Sequence, residues 1–422
     1  MSYALGIDIG TSGVRTAVLD DQARVVSTAR AAHVARAGDE VRAEDWWAAV
    51  AQCLERQVAG LREEGVDPRA IRRAAIDGTS GSIVLTGADL APVTQGLLYN
   101  SKGFDAEAGQ IAAVAPEGHI GRGSASALAR FLRLHGQAEG AKWLMHQADF
   151  VLAQLTRKGG ISDQNNALKT GYDVEGECWP DWFSELGISA EMLPEVHPAG
   201  AEVSLIDQEV AARFGLSPEL MFHAGTTDSI AAFLASGARD VGDGVTSLGT
   251  TLVVKVLTSK RIEAAELGLY SHRLGEMWLV GGASNTGGGV LLEHFTPEEI
   301  AALSKQIDSG TQSGLDYYPL TAPGERFPVN DPDLAPRMTP RPEDNALFLK
   351  GIFEGIARIE AECYGAIERL GGPSVARVFT AGGGAANPVW TEMRARVLGR
   401  PVLRAEQTEA SVGAARLAMG LI

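Results

Sequence analysis

Residues 4–20, Ala-Leu-Gly-Ile-Asp-Ile-Gly-Thr-Ser-Gly-Val-Arg-Thr-Ala-Val-Leu-Asp, set apolar positions on both sides of a glycine- and hydroxyl-rich centre. Residues 244–257, Gly-Val-Thr-Ser-Leu-Gly-Thr-Thr-Leu-Val-Val-Lys-Val-Leu, repeat the plan in degenerate form. The alternation through Leu5, Ile7 and Ile9 predicts a strand, Arg15 to Asp20 its antiparallel return, and Gly10 to Gly13 the hairpin tip. A chain that carries one strand–turn–strand unit twice is expected to be an internal duplication. Two such hairpins could clasp one triphosphate from opposite sides.

The tips carry the chemistry. Gly10 and Gly13 let the backbone turn tightly and approach a ligand, while Thr11 and Ser12 offer hydroxyls and N–H groups to phosphate oxygens. Asp8, just before the tip, is a candidate to hold Mg2+ directly or through water. The second copy keeps Gly249, Thr250 and Thr251 but has Ser247-Leu248 where the first has Asp8-Ile9. It therefore retains a phosphate-gripping turn without the carboxylate. An ordinary hairpin with a polar tip satisfies the same local pattern, so the argument needs the rest of the chain.

A length of 422 residues with 45% hydrophobic residues suits two globular domains. The chain runs into its first strand without a basic start, apolar stretch and cleavage site, and no apolar run reaches the roughly 18 residues of a membrane span. A cytoplasmic protein with no membrane partner is expected. Cys53, Cys178 and Cys363 are far apart and lack histidines at metal spacing, so all three are read as structural, buried thiols. A formal net charge of -16 argues against a nucleic-acid partner. A nucleotide would have to be held by local N–H groups and a metal ion rather than by the overall field.

Further along, a helix is expected from Asp45, with Trp47, Val50, Leu54, Val58 and Leu61 on its buried face and Gly65 as its stop. Ile71 to Ile76 reads as a strand interrupted by Asp77-Gly78-Thr79-Ser80-Gly81, and residues 141–157 as a second helix. Seven prolines between 319 and 342 predict an irregular surface excursion, followed by a long helix over 343–370 and a strand over 375–380. Strands alternating with helices indicate an α/β class.

Four glycine-bearing turns each end a predicted strand: 10–13, 78–81, 249–251 and 382–384. Strand ends are where α/β architectures gather ligand sites. Gly382, Gly383 and Gly384 have no side chains, so a purine and its ribose can lie against the backbone, with Asn387 at the next helix start as a hydrogen-bonding group or simply a cap. Asp228 follows a predicted strand and opens the apolar helix Ile230 to Ala235. As a helix cap it would be structural; as a general base it would orient a substrate hydroxyl and accept its proton late in phosphoryl transfer. The eight histidines show no triad or metal spacing, and Gly78 to Gly81 is too short for a serine-hydrolase elbow.

These motifs together resemble the FGGY family of carbohydrate kinases along nearly the whole chain. Residues 4–19 and 245–256 resemble its two phosphate motifs, and 378–402, beginning Val-Phe-Thr-Ala-Gly-Gly-Gly-Ala-Ala-Asn-Pro-Val-Trp, its adenosine motif. Gly324-Glu325-Arg326-Phe327-Pro328 with Asp331-Pro332 resembles a xylulokinase pattern. The resemblance implies a two-domain actin-like ATPase (ribonuclease H-like) fold with an inter-domain cleft. Its expected parts are a sugar-binding domain over 1–236, a nucleotide-binding domain over 237–408, and a C-terminal helix in 409–422 packing back on the first. It implies ATP and Mg2+ as cofactors, Asp8 as metal organiser, Asp228 as base, and Thr11, Ser12, Gly249, Thr250 and Thr251 as phosphate holders. Matched position by position, the sugar contacts it implies are Ser80, Asn100, Lys102 and again Asp228. Many members carry Trp-x-Asp-x-Arg where this chain has Tyr99 and, as the polar positions, only Asn100 and Lys102, so the family's hydroxyl contacts do not carry over as they stand.

The chain is short for the family, and Ser162–Lys169 with Gly268–His272 is most similar to cyanobacterial and plant xylulose-kinase-like proteins. That likeness implies phosphorylation of the terminal hydroxyl of D-ribulose, with D-xylulose second. A catalytically weak sugar sensor and a nucleotide-driven chaperone on the same fold are the rivals.

Overall fold

The structure is a computed structural model that describes residues 2–33 and 40–421. Met1, residues 34–39 and Ile422, which fall within the domain spans expected above, lie outside the described residues. The chain divides into two compact units. One takes Met1–Ala235, Arg273–Gly275 and Glu409–Ile422; the other takes Ser236–His272 and Glu276–Thr408.

The first unit is built on a mixed six-stranded sheet in the order Glu202–Leu205, Met221–Thr227, Ile71–Gly78, Tyr3–Ile9, Gly13–Leu19 and Val25–Ala32. Alternation decides what each face meets. Leu5, Ile7, Ile9, Val14 and Val18 join a core with Trp46, Val50, Leu54 and Leu61 of the helix Ala43–Glu63. On the opposite face Ala4, Ala17 and Leu19 pack with Ala235, Val412 and Ala415, the last two on the helix Ala410–Ala418. Small residues make that second face tight: a Cβ on Gly6 would stand 1.8 Å from the Ser411 carbonyl oxygen.

Three expectations differ from the structure here. Residues 141–157 are not one helix: Trp143–His146 is a strand paired with Ile83–Thr86, and the helix starts at Gln147. Asp149 explains the switch, since its carboxylate accepts the His146 N–H at 3.0 Å and bonds His146 Nδ1 at 2.8 Å where the helix begins. The strand from Ile71 runs on through Asp77 and Gly78 instead of breaking before them. Cys178 is exposed, while Cys53 and Cys363 are buried as expected.

The second unit repeats the plan around Asp243–Leu248 and Leu252–Thr258, antiparallel across the turn 249–251. Its sheet runs Tyr270–Leu274, Met277–Ser284, Leu252–Thr258, Asp243–Leu248, Arg377–Ala381 and Val402–Arg404. In both units the first hairpin strand pairs in parallel with a strand that ends in a glycine turn. The long helix Asn345–Arg369 supplies Phe348, Ile352, Ile356, Ile359 and Ile367 to the core of this unit. The proline-rich excursion is irregular and is tied down by Glu325, whose carboxylate accepts from Ser284 Oγ at 2.7 Å and the Asn285 N–H at 2.7 Å.

Candidate functional site

Three aspartates meet at the carboxyl ends of neighbouring parallel strands in the first unit. Asp8 is level with Asp77 in the pairing of Tyr3–Ile9 with Ile71–Gly78. Thr226 and Thr227 are level with Asp77 and Gly78 from the other side, and Asp228 follows as the first residue of the helix Asp228–Ala235. Residues in parallel register present side chains to the same face, so the topology itself collects the acids.

Their environments differ. Asp8 is 4% exposed and pairs with Arg15 Nη1 at 3.2 Å, while Arg15 Nε reaches Glu409 at 3.2 Å. Burial pushes the Asp8 carboxyl upward, against its hydrogen bond with Asp77 and the Arg15 charge. Asp77 is fully buried, and as a carboxylate neither of its oxygens would receive a donor. Burial, then the charges of Asp8 and Asp228, hold its pKa well above the carboxylate range. Protonated, Asp77 gives its O–H to Asp8, which resolves the missing donor. Asp228 is half-buried, and its Oδ1 accepts the Ser229 N–H at 2.6 Å.

Sequence reasoning passed over Asp77, although a signal was present. Ile76-Asp77-Gly78-Thr79-Ser80-Gly81 nearly repeats Ile7-Asp8-Ile9-Gly10-Thr11-Ser12-Gly13. Among the described residues no group of three His, Cys, Asp or Glu side chains forms a metal cage. The donor set therefore fits Mg2+ held by one carboxylate, water and nucleotide phosphates, the usual manner of that ion, and not a metal enclosed by protein.

The expected phosphate turn is a tight hairpin: the Gly10 N–H donates to the Gly13 carbonyl at 3.0 Å, and Thr11 and Ser12 are exposed at its tip. Gly13 is required by packing, since a Cβ there would lie 2.3 Å from the Ala31 carbonyl oxygen. Ser80 is half-buried in the turn after Gly78, beside Thr79, whose hydroxyl donates to Gln147 Oε1 at 2.7 Å and bonds Ser82 Oγ at 2.7 Å. Asn100 is exposed on the loop that Ser82 Oγ holds by accepting the Tyr99 N–H at 3.0 Å. Lys102 lines a cavity of about 520 Å3 with Gln95, Phe104, Arg133 and Gln137, a lining that does not include Ser80, Asn100 or Asp228.

In the second unit Gly249, Thr250, Gly383, Gly384 and Asn387 line one cavity of about 690 Å3. Its remaining walls are largely apolar, among them Leu291, Pro297, Ile300 and Trp390. Trp390 is fixed as a wall by stacking on Phe353 with ring centroids 4.5 Å apart and 10° between planes. Thr251 and Gly382 do not line it. Gly382, at φ +84°, packs on the Leu248 carbonyl, where a Cβ would come within 2.6 Å, so its glycine serves the fold; at Gly383 a Cβ would meet open space. Asn387 caps the helix Pro388–Leu398 by accepting the Trp390 N–H at 3.1 Å and donates to Ser304 Oγ at 2.7 Å. The apolar wall over 291–301 was not legible as a site, because it reads as ordinary helix.

Residues 3–112 match the FGGY family of carbohydrate kinases, N-terminal domain, and residues 244–421 its C-terminal domain. The chain is 22% identical over 436 residues to the xylulose kinase of Lactococcus lactis, covering 96% of this chain and 84% of that protein. It is 21% identical over 454 residues to the gluconokinase of Bacillus subtilis, covering 97% and 85%. The crystal structure of xylulose kinase from Rhodospirillum rubrum superposes with a TM-score of 0.84 at 22% identity, covering 99% of this chain and 89% of that one. At such identities the likeness establishes the fold, which is the two-domain actin-like ATPase fold.

Proposed function

The chain belongs to the FGGY family of carbohydrate kinases, and from that premise we propose that it transfers the γ-phosphoryl group of ATP to the terminal 5-hydroxyl of a ketopentose, D-ribulose first and D-xylulose second. The observation that carries the reading is the register that sets Asp8 level with Asp77 and ends the neighbouring strand one residue before Asp228. Xylulose kinase and gluconokinase relatives support a small polyhydroxylated acceptor. The choice of D-ribulose rests on the sequence likeness of residues 162–169 and 268–272.

In this reading Ser80, Asn100 and Asp228 meet the sugar hydroxyls, with Lys102 at the edge through its neighbouring cavity. Asp228 orients the 5-hydroxyl and takes its proton as the O5–Pγ bond forms and the bond from Pγ to the β,γ-bridging oxygen breaks, releasing ADP. An ordinary carboxylate is too weak a base to ionise an alcohol beforehand, so the proton moves late. Asp8 holds the metal. Bound there, Mg2+ would neutralise charge on the phosphate oxygens. Thr11 and Ser12, with Gly249, Thr250 and Thr251, hold phosphates, and Gly382 to Gly384 with Asn387 form the adenosine seat. Asp77, neutral and buried, keeps Asp8 in place by donating to it.

The test is ADP release with D-ribulose, D-xylulose, glycerol, D-gluconate and hexoses, and identification of the phosphorylated product. Fastest turnover with D-ribulose at the 5-position is expected. Turnover confined to gluconate would move the acceptor to a sugar acid, and tight sugar binding without any turnover would favour a sensor.

A further inference from the structure

Arg130 stands on the helix Ala127–His135 and is 2% exposed. Among the described residues no carboxylate lies within ion-pair distance of it, and burial alone pulls its pKa down to about 10. A buried arginine is normally paired with an acid, because a lone charge in the interior is costly. Here all five N–H donors go to main-chain carbonyls. Nε donates to Gly81 at 3.3 Å, Nη1 to Ala125 at 2.9 Å and Ser126 at 3.1 Å, and Nη2 to Tyr99 at 2.6 Å and again to Ala125 at 3.1 Å.

Two of those carbonyls adjoin the proposed sugar contacts: Gly81 follows Ser80, and Tyr99 precedes Asn100. With Arg130 on its carbonyl and Ser82 Oγ on its N–H at 3.0 Å, Tyr99 has both main-chain polar groups fixed. Ser82 belongs to the same turn as Ser80, and the Ser82 N–H donates to the Thr79 carbonyl at 3.2 Å. The two loops are therefore tied to each other twice, and one of the ties is a planar fork that lysine cannot reproduce. A methionine or leucine would fill the same space without the cost of an unpaired charge. The charge is retained where it joins two loops of sugar-binding candidates.

We infer that Arg130 is a positioning residue for the sugar site, a guanidinium clamp that sets the spacing of Ser80 and Asn100 without touching the sugar. The inference rests on the sugar-site reading above. It makes Arg130 a determinant of sugar affinity and leaves nucleotide affinity to the second unit. A misplacement of about 1 Å at a binding group costs on the order of 100-fold.

The test is steady-state kinetics of Arg130→Ala and Arg130→Lys on the full chain, with sugar and ATP varied separately. Arg130→Ala is expected to raise KM for D-ribulose roughly 10- to 100-fold with KM for ATP within about twofold, and added guanidinium ion to restore most of the loss. Arg130→Lys, which keeps the charge but not the fork, is expected to shift the same constant in the same direction and to provide the measurement if the alanine variant does not fold. Unchanged constants in the lysine variant, or equal shifts for sugar and ATP, overturn the clamp. Ser80→Ala and Asn100→Ala separate the two levels. If either raises the sugar KM while the Arg130 variants do not, the site reading stands and the clamp falls. If neither does, the site reading falls and takes the clamp with it.

Discussion

The hairpins at residues 3–19 and 243–258 are the same device, one with acids at its strand end and one without. Each pairs antiparallel across a glycine–hydroxyl turn, and each lies parallel to a strand that ends in another glycine turn. In the first, the parallel neighbour puts Asp77 level with Asp8. In the second, Ser247 is level with Ala381, and both are uncharged. Behind the second hairpin the charges are neutralised in pairs: Arg394 meets Glu360 at 2.7 Å with both side chains fully buried, and Arg394 Nη1 donates to Thr380 Oγ1 at 2.7 Å. The repeated plan thus carries a cluster of acids at the strand ends of the first unit, with Asp8 paired to Arg15, and a largely apolar cavity edged by Lys305 in the second. A duplicated scaffold can divide labour by changing strand-end residues alone.

The most damaging way to probe the charged half is Asp228→Ala, which should cost about 100- to 10,000-fold in kcat. Turnover at the wild-type rate would remove Asp228 from the chemistry. Asp8→Asn should cost about 100- to 1,000-fold, the usual scale for losing a charge-stabilising group, and raise the Mg2+ concentration needed for half-maximal rate. Its counterpart Ser247→Ala should stay within about twofold. Equal losses from the two would dissolve the contrast between the hairpins.

The same contrast predicts how stability depends on pH. Burial, then the Asp149 charge, raises Asp163 to about 6, from an ordinary value near 3.8 in the unfolded chain. The folded state binds that proton more tightly, so the associated stability is present below about pH 4 and is lost as pH rises through about 6. The loss amounts to about 3 kcal/mol at 1.36 kcal/mol per unit. Asp77 acts with the same sign. Asp163→Asn keeps a competent helix cap and should flatten the fall in thermal midpoint between pH 4 and 7, measured by calorimetry. An unchanged slope would place the pH sensitivity elsewhere.

A modest effect is expected at the largely apolar cavity of the second unit. Its wall is largely apolar, and Asn387 and Ser304 already bond each other. An apolar pocket discriminates by only about 10- to 200-fold, so GTP should replace ATP with a loss of about tenfold or less in kcat/KM. A larger loss would reveal a base-reading group that the wall conceals.

Much of this architecture was readable from local pattern. The hairpins, the long helix over 345–369, the Asn387 cap and the positions of Asp8 and Asp228 at strand ends all follow from alternation, glycine and capping chemistry within a short window. The unreadable parts depend on pairings distant in sequence. Asp77 becomes notable only when Ile71–Gly78 lies in register with Tyr3–Ile9. Arg130 sits on an amphipathic helix where arginine is normally a surface residue, and its partners are carbonyls, which leave no signature in side-chain identity. Trp143–His146 has helical spacing with its downstream neighbours, yet the unpaired edge of Ile83–Thr86 recruits it as a strand. Tertiary demand overrode local preference there.

The helix Ala410–Ala418 carries a consequence for how the molecule is made. Its Val412 and Ala415 close the face of the sheet that holds Ala4 and Ala17, and a Cβ on Gly413 would stand 1.7 Å from the Ala231 carbonyl oxygen. The strand bearing Asp8 leaves the ribosome before the second unit, but the helix that covers it emerges only after that unit has been synthesised. The unit with the acids is thus begun before the second unit and completed after it. During that interval the face bearing Ala4 and Ala17 lacks its cover, while the cavity lined by Gly249, Gly383 and Trp390 can already be assembled.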